Sequence, residues 1–315
     1  MKTLLRPALL FIAIGLALYA ALYTASEALL MQHGRSHPLF KIAQLREPAV
    51  DWVVLGASHA MPLDFGDFNA GLERASGQRI VQLAGPGTGP LYNRFVLEHF
   101  LQRHRTRELL YVVDAFAFYS RTWNEERFAD AKLLRRTPWD PDIAVQLARY
   151  VRDEGIEPQA LLDYASGFSK INNRERCQRD VWEGEAQFER SGRASSSATA
   201  KRIAYLYPHG TAPDALAKYL GEFESLLVLA REHGVAVSIV KMPLPAAFRR
   251  QLPDEAAFDE ALARVTATHG ARYADFSATI DDPRLYFDTD HLNRAGLTAF
   301  VEKSLMPLLL ARAAR

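Results

Sequence analysis

Near the C-terminus, the stretch LYFDTDHLNRAG places Asp288, Asp290, His291 and Asn293 close together in the chain. A histidine exchanges protons near neutral pH, and a carboxylate that fixes its tautomer makes it a better base. Asp288 lies three residues before His291, so the two side chains can meet within one turn. The spacing therefore predicts a local acid–histidine pair. Asp290 is the rival acid, but its side chain, next to His291 in sequence, should tend to point elsewhere.

A serine that this histidine could activate lies far upstream, in the stretch VVLGASHA. Ser58 follows a short apolar run, Trp52 to Leu55, which predicts a buried strand. A serine hydroxyl is a weak nucleophile until a neighbouring base takes its proton. We therefore expect Ser58 to be the nucleophile, His291 the base and Asp288 the orienting acid. We expect His59 to pack or hydrogen-bond beside the site.

The elements that must bring these residues together are strands alternating with helices. The five predicted strands lie in the stretches AVDWVVLGAS, RIVQLAGPGTGP, ELLYVVDAF, VAVSIVKMPLP and ARYADFS. Amphipathic segments between them predict helices. This alternation is typical of an α/β domain with a mostly parallel sheet covered on both faces. Sites in such sheets form beyond the carboxyl ends of the strands. Ser58, Asp114, Lys241 and the loop with Asp288 and His291 all follow predicted strands.

Three other strand ends carry groups with more than one interpretation. The loop AGPGTGP has two prolines that remove N–H donors, so it fits an oxyanion site better than a phosphate cradle. Asp114 either holds the first loop or lines the pocket. Lys241, flanked by prolines at 243 and 245, should be a solvated charge at a strand end, with contact to an anionic polymer as the alternative.

The N-terminus predicts a membrane anchor. Lys2 and Arg6 precede an uncharged run from Pro7 to Ser26, and about 20 helical residues span about 30 Å, one hydrocarbon core. The two charges predict a single pass through the cytoplasmic membrane, with the N-terminus inside and the remainder in the periplasm. A cleaved signal peptide is the alternative. Its apolar region is usually about 7 to 15 residues long, and Ser26-Glu27-Ala28 is a poor cleavage site.

Composition limits the other classes of function. Lysine plus arginine number 38 against 37 aspartates and glutamates, so no excess charge indicates a nucleic-acid partner. The single cysteine, Cys177, excludes an internal disulfide, and no Cys/His cluster has zinc spacing. We expect an anchor at 1–30, a linker at 31–50 and a catalytic domain at 51–315. A segment at about 120–207 should be inserted as a lid, with a loop near 191–199.

Together these motifs resemble the SGNH (GDSL-like) hydrolase superfamily. VVLGASHA is similar to the family's first block, with Ala57 in place of the usual aspartate. QLAGPGTGP is similar to the second block, which implies that the Gly87 N–H donates to the oxyanion together with that of Ser58. DTDH is similar to the last block, D-x-x-H, which implies triad roles for Asp288 and His291. The resemblance also implies a flavodoxin-like three-layer sandwich.

One block departs from the family's pattern. The third block normally supplies an asparagine to the oxyanion hole, but the third strand here ends VVDAFAF, without an asparagine at that point. Loss of one such donor can cost about 100- to 1000-fold in turnover. Asn93 or a residue of the inserted segment is a candidate substitute.

The anchor, the G-x-S-H block and the terminal FxDxxHLN are most similar to the DltD-like branch. Members of that branch work outside the membrane beside a membrane-bound O-acyltransferase. The resemblance implies a serine esterase or O-acyltransferase, without metal or other cofactor, that moves D-alanyl or acetyl groups on cell-surface glycans or polymers. The alternative is a scaffold or binding protein that keeps the fold without turnover, and the missing asparagine is its main support.

Overall fold

The computed structural model describes residues 2–35 and 37–313, which fall into two units. The sheet unit comprises Gln44–Arg127 and the chain from Val181 onward. The helical unit comprises the chain up to Ala43 and Phe128–Asp180. The segment that the sequence predicted as an insertion, at about 120–207, is therefore divided between the two units. Its role as a lid stays a prediction.

Five parallel strands form the sheet, in the order β2-β1-β3-β4-β5. They are β1 (Ala49–Gly56), β2 (Ile80–Gln82), β3 (Arg105–Val112), β4 (Ala236–Lys241) and β5 (Arg272–Asp275). Helices cover both faces, so the predicted α/β fold with a parallel sheet is confirmed. The strand order reverses between β1 and β3, and such a reversal opens a crevice beyond the carboxyl ends of the two strands.

The helices connect and cover these strands. In chain order they are α1 (Lys2–His33), α2 (Pro38–Gln44), α3 (Phe68–Ser76), α4 (Pro90–Leu101), α5 (Ala131–Leu134), α6 (Pro141–Asp153), α7 (Pro158–Ser166), α8 (Phe168–Ile171), α9 (Ser196–Leu206), α10 (Pro213–Glu232), α11 (Ala246–Arg249), α12 (Glu255–Thr268), α13 (Arg294–Phe300) and α14 (Met306–Ala313). A π-helical turn, Val301–Leu305, joins the last two helices.

The two faces of the sheet bury different side chains, because neighbouring residues of a strand point to opposite faces. Trp52 and Val54 of β1 pack on one face, in a core that includes residues of α3, α13 and α14. On the other face, Tyr111 of β3 packs against Phe223 of α10, with ring centroids 4.7 Å apart. Each large apolar side chain buried in this way contributes about 1.5–3 kcal/mol, and the burial fixes the strand ends that carry the site.

Strand β1 ends close against β3 because its last residue is glycine. Gly56 pairs with Val112 of β3 and has a φ of +141°, a conformation that other residues rarely adopt. A Cβ at this position would lie 2.5 Å from the Val112 carbonyl oxygen. Any side chain here would therefore push the two strands apart at the point where the chain leaves the sheet towards Ser58.

In the helical unit, α1 is long and apolar enough over Leu5–His33 to cross a membrane, and its most apolar window is fully exposed. The C-terminal part of the helix packs within the unit. Tyr19 donates its hydroxyl hydrogen to the Ser166 carbonyl at 3.0 Å. Glu27 forms an ion pair with Lys170, whose side chain is only 2% exposed. The C-terminal part of α1 therefore belongs to a folded structure.

The helix ends differ from the predicted boundaries of the anchor and the linker. Helix α1 runs beyond the predicted anchor at 1–30, because Ser26 and Leu30 are buried and continue its packing. Helix α2 and the first residues of β1 occupy the predicted linker at 31–50. The division into anchor, linker and catalytic domain stays a prediction.

Candidate active site

Ser58 lies directly beyond β1, at the carboxyl edge of the sheet. It opens a 3-10 helix, Ser58–Asp64, after Ala57 in an extended conformation. The change from strand to helix turns the serine away from the sheet, and the residue is buried, with 5% exposure. The Ser58 N–H has no hydrogen-bond acceptor in the described part of the chain. That N–H is therefore available to an oxygen atom placed beside the hydroxyl.

The histidine predicted as the base is within hydrogen-bond distance of this serine. His291 Nε2 lies 2.9 Å from Ser58 Oγ. On the other side of the ring, His291 Nδ1 lies 2.8 Å from Asp288 Oδ2. The structure thus brings together the three residues that the sequence predicted as a triad, in the order that moves a proton from hydroxyl to imidazole.

The loop that carries Asp288 and His291 is fixed by its own hydrogen bonds. Asp288 Oδ1 accepts from the backbone N–H groups of Asp290 at 3.0 Å and His291 at 2.8 Å. Asn293 caps α13 by accepting from the Gly296 N–H at 2.9 Å. Phe287 stacks on the His291 ring, with centroids 5.4 Å apart and an interplanar angle of 6°. The acid–histidine pair is therefore built locally.

Electrostatics keep Asp288 ionised beside its histidine. Partial desolvation alone would raise the pKa of Asp288, but the interaction with His291 outweighs it and the pKa is lowered. An ionised carboxylate holds the proton on Nδ1, which leaves the Nε2 lone pair facing the serine. This is the tautomer that a general base for Ser58 requires.

A second histidine–acid system lies beside the first. His59 Nδ1 is 2.5 Å from Asp114 Oδ1, and His59 Nε2 is 3.1 Å from Asp290 Oδ2. Both ring nitrogens need a proton to donate to these carboxylates, so the geometry requires an imidazolium. Burial alone would lower the pKa of His59, but Asp114 and Asp290 outweigh it and raise the pKa to about 10. His59 is therefore a fixed cation rather than a base.

This arrangement gives Asp290 a separate partner set from Asp288. Asp290 Oδ1 lies 3.7 Å from His291 Nδ1, beyond hydrogen-bond distance. Burial would raise the pKa of Asp290, but His291, Arg202 and His59 hold it well below the ordinary value of an aspartate. The side chain points towards His59 and Arg202, as the sequence analysis expected of a residue adjacent to His291.

Arg202 is the site residue that sequence reasoning missed. It lies on α9, and its Nε donates to Asp290 at 2.9 Å and 3.2 Å. Its Nη2 is 3.5 Å from His291 Nε2. The sequence predicted a loop at 191–199, but α9 begins within it at Ser196, where Ser195 accepts from the Ala198 N–H as an N-cap. A serine at the N-cap position was the signal in the sequence that could have indicated this helix.

Gly87 lies in the loop after β2, which is fastened to the end of β1. Thr88 Oγ1 donates to the Gly56 carbonyl at 2.8 Å and to the Gly85 carbonyl at 3.0 Å. Gly87 has a φ of +60°, and a Cβ there would lie 2.7 Å from the Trp123 ring. Its N–H has no acceptor in the described part of the chain. The loop leaves this N–H free to bind an oxyanion, and the role of Gly87 as an oxyanion donor stays a prediction.

Asn93, one predicted substitute for the missing asparagine, is used elsewhere. Its Nδ2 donates to the Gly89 carbonyl at 3.0 Å and lies 3.3 Å from both the Thr88 carbonyl and the Tyr111 hydroxyl. The residue is 1% exposed. Asn93 therefore braces the start of α4.

Lys241 differs from the predicted solvated charge. Its side chain is buried, and Nζ lies 2.5 Å from Glu255 and 2.6 Å from Asp259. Nζ also lies over the Phe258 ring. It makes no hydrogen bond to Ser58, Asp288 or His291. The prediction of a solvated charge is therefore wrong, because two carboxylates of α12 bind Lys241 inside the unit. Its place among residues that line the site stays a prediction.

Three of these side chains have a spacing that a metal ion could use. One ligand atom each from His59, Asp290 and His291 lie within 4.8 Å of one another. A protonated His59 has no lone pair to offer, and the Arg202 guanidinium already neutralises Asp290. The donor chemistry of these residues therefore does not fit a metal centre, and we assign none.

Comparison with known proteins adds a likeness in fold. No protein-family model matches the sequence, and no curated protein matches it. Among solved structures, the chain is similar to a Bacteroides fragilis protein whose description reads "putative acylhydrolase", at 9% identity and a TM-score of 0.43, over 87% of this chain and 94% of that chain. A likeness of this size carries no argument about the reaction, so the chemistry proposed below rests on the geometry of the site.

Proposed function

We propose that the protein is a serine esterase or O-acyltransferase of the SGNH type. The observation that carries this proposal is the continuous hydrogen-bonded series from Asp288 through His291 to Ser58. Such a series activates a hydroxyl group that would otherwise be a weak nucleophile at neutral pH. Ser58 also lies beyond the carboxyl end of β1, where ligands bind in sheets of this kind.

In the first half of the reaction, Ser58 Oγ attacks the carbonyl carbon of an acyl ester. The hydroxyl proton moves to His291 Nε2, and the carbonyl π electrons move to the carbonyl oxygen, which becomes an oxyanion. The Ser58 and Gly87 N–H groups donate to that oxygen. When the intermediate collapses, the bond to the leaving alcohol breaks, and the alcohol takes the proton from His291. The acyl group remains on Ser58.

In the second half, water or an acceptor hydroxyl attacks the acyl carbon of the acyl-enzyme, and His291 takes its proton. When this second intermediate collapses, the bond to Ser58 Oγ breaks, and Ser58 takes the proton back from His291. The same intermediate serves hydrolysis and transfer, so the acceptor decides which reaction occurs. We propose that D-alanyl or acetyl esters of a cell-surface glycan or polymer are the substrates. The resemblance to the DltD-like branch supports this substrate class, and a membrane-bound O-acyltransferase is the proposed partner.

The proposed location is the periplasmic side of the cytoplasmic membrane. Helix α1 is compatible with a membrane anchor or with a signal sequence. Lys2 and Arg6 at its start favour an N-terminus on the cytoplasmic side. The sheet unit with Ser58 would then face the compartment that holds cell-surface polymers.

A scaffold without turnover is the second candidate function. Two observations favour it: the asparagine of the third block is absent, and Ser58 and His291 are only 5% and 1% exposed. A protein of this kind would recruit a polymer or an acyltransferase to the membrane without forming an acyl-enzyme.

Covalent labelling separates the two functions. The full-length protein in detergent should be labelled at Ser58 by a fluorophosphonate, because such probes need an activated serine. Ser58→Ala should abolish the labelling, and His291→Ala should nearly abolish it. Absence of label from folded wild-type protein, alone and with its acyltransferase partner, would favour the scaffold. Label only with the partner would favour transfer and mean that the site is completed in the complex.

A further inference from the structure

The oxyanion hole lacks the side-chain donor that the resemblance leads us to expect. Asp114 stands at the end of β3, where that asparagine would lie, and it accepts a hydrogen bond from His59. A carboxylate cannot donate to an oxyanion. A side chain with N–H groups directed towards the reacting atoms would have to come from another element.

The neighbouring amides and the imidazolium cannot fill this role. Asn93 donates to the Gly89 carbonyl. The side-chain nitrogen of Asn124 donates to the carbonyls of Ala117 and Ser120. His59 gives one N–H to Asp114 and the other to Asp290. Each of these donors is therefore already satisfied.

Arg202 is a charged donor beside the triad. Only its Nε bonds to Asp290, which fixes the position of the guanidinium. Its Nη2 lies 3.5 Å from His291 Nε2, the atom that bonds the Ser58 hydroxyl. Its Nη1 makes no hydrogen bond in the described part of the chain, and the side chain is 21% exposed. The guanidinium thus keeps N–H groups without an acceptor among the described residues, beside the histidine that bonds the nucleophile.

The charges around Arg202 favour an oxyanion over a substrate that is already anionic. Three acidic side chains, those of Asp114, Asp288 and Asp290, surround only two basic ones, His59 and Arg202, beside the His291 imidazole. An anionic substrate would add negative charge to a cluster that already has an excess of it. In acyl transfer, the oxyanion forms together with the His291 imidazolium, so the net charge of the cluster does not change.

We propose that Arg202 is a catalytic residue that donates to the acyl oxygen in the transition state, in place of the missing asparagine. This inference rests on the proposed function. As Ser58 Oγ bonds to the carbonyl carbon and its proton passes to His291, the oxygen gains the carbonyl electron pair. The Arg202 N–H groups bind that oxygen more strongly than the neutral carbonyl. The acyl group that reacts therefore carries no negative charge, a condition that both acetyl and D-alanyl esters meet.

The test compares Arg202→Met with Lys201→Met in the full-length protein, using p-nitrophenyl acetate and an alkyl trifluoromethyl ketone. Lys201 is the exposed neighbour on α9 and serves as the matched control. The ketone adds to Ser58 and forms an oxyanion, whereas the corresponding methyl ketone only occupies the site. We expect Arg202→Met to lower kcat about 100- to 1000-fold. Trifluoromethyl ketone affinity should fall by the same factor, with KM and methyl ketone affinity nearly unchanged.

Chemical rescue distinguishes donation from a structural role. Guanidinium ion added to Arg202→Ala should restore part of its turnover, whereas Ser58→Ala should gain nothing. Unchanged trifluoromethyl ketone affinity in Arg202→Met would overturn the inference. A raised KM with unchanged kcat would also overturn it, because the arginine would then bind the ground state. If wild-type protein does not bond the ketone at Ser58, the proposed function itself fails, and the inference fails with it.

Discussion

The imidazole rings of His59 and His291 lie 4.7 Å apart at an interplanar angle of 34°, yet each is held by different carboxylates. Asp288 bonds the His291 ring, whereas Asp114 and Asp290 bond the His59 ring. One histidine therefore keeps a lone pair for Ser58, and the other is held as a cation at neutral pH by two carboxylates. Two residues of the same type thus have different chemistry within one site.

Because the two histidines bond different carboxylates, substitution of Asp288 and of Asp290 should have different main effects. Asp288→Asn should lower kcat by about 100- to 10,000-fold while the protein stays folded, because His291 loses the correct tautomer. Asp290→Asn should instead lower stability by about 3–5 kcal/mol, because the buried cations His59 and Arg202 lose their shared anion. Ester turnover and thermal unfolding of both variants measure this. Turnover should fall in Asp290→Asn as well, because this carboxylate fixes Arg202. An Asp288→Asn variant that keeps its turnover would contradict the assignment of Asp288 as the acid.

The raised pKa of His59 predicts how stability changes with pH. Its folded-state pKa of about 10 lies above the ordinary value of about 6.5. Stabilisation from its ion pairs is therefore complete below about pH 6.5 and is lost as the pH rises towards 10. We expect the stability difference between wild type and His59→Gln to shrink across this window, by at most ~1.4 kcal/mol per pH unit. Melting temperatures of both proteins check this, and a constant difference would contradict a protonated His59.

Gly87 offers a matched test of the loop after β2. Gly77 has a similar φ of +69° but open space where a Cβ would lie, whereas a Cβ on Gly87 would strike Trp123. Gly77→Ala should therefore cost only the backbone strain, about 1 kcal/mol. Gly87→Ala should cost more and should also lower kcat, because the loop must move its N–H. Equal stability and full turnover in the two variants would remove Gly87 from the proposed oxyanion hole.

The ion pair between Glu27 and Lys170 predicts that α1 contributes to folding of the helical unit. Burial lowers the pKa of Lys170, and Glu27 opposes that effect. Glu27→Gln leaves a buried ammonium without its counter-ion, so we expect a loss of about 3–5 kcal/mol. Limited proteolysis within 128–180 measures the loss. Glu157→Gln, at an exposed glutamate of the same unit, is the control. Equal resistance of both variants would contradict the prediction.

The proposed topology has its own test. A reporter that is active only outside the cytoplasm should be active when fused after Arg315. The full-length protein should also stay with membranes after a carbonate wash. Release of a form that begins near Leu29 would show cleavage and remove the anchor.

Sequence reasoning reached the parts of the site that have local causes. The five strands follow from apolar runs, and the Asp288–His291 pair follows from a spacing of three. Ser58 could be paired with His291 only because strand ends of a parallel sheet meet at one edge.

The remaining contacts have no local signature. Arg202 and Asp290 are 88 residues apart, and a long-range ion pair leaves no periodic trace in the chain. Lys241 is a similar case: proline neighbours indicated a solvated strand end, but carboxylates of α12 lie above it. The ion-pair partners of a charged residue depend on tertiary packing, which is seen only in the folded structure.

The packing of α1 also bears on when the chain could be processed. The poor cleavage site at Ser26-Glu27-Ala28 lies inside a continuous helix that ends at His33. A peptidase binds its substrate in an extended form, so the folded helix would have to unwind and give up the Lys170 contact first. In a newly made chain, cleavage of the apolar segment and folding of the helical unit therefore compete, because cleavage requires an unfolded α1. Under the proposed anchoring, a molecule that folds first keeps its apolar N-terminal helix for as long as that unit stays intact.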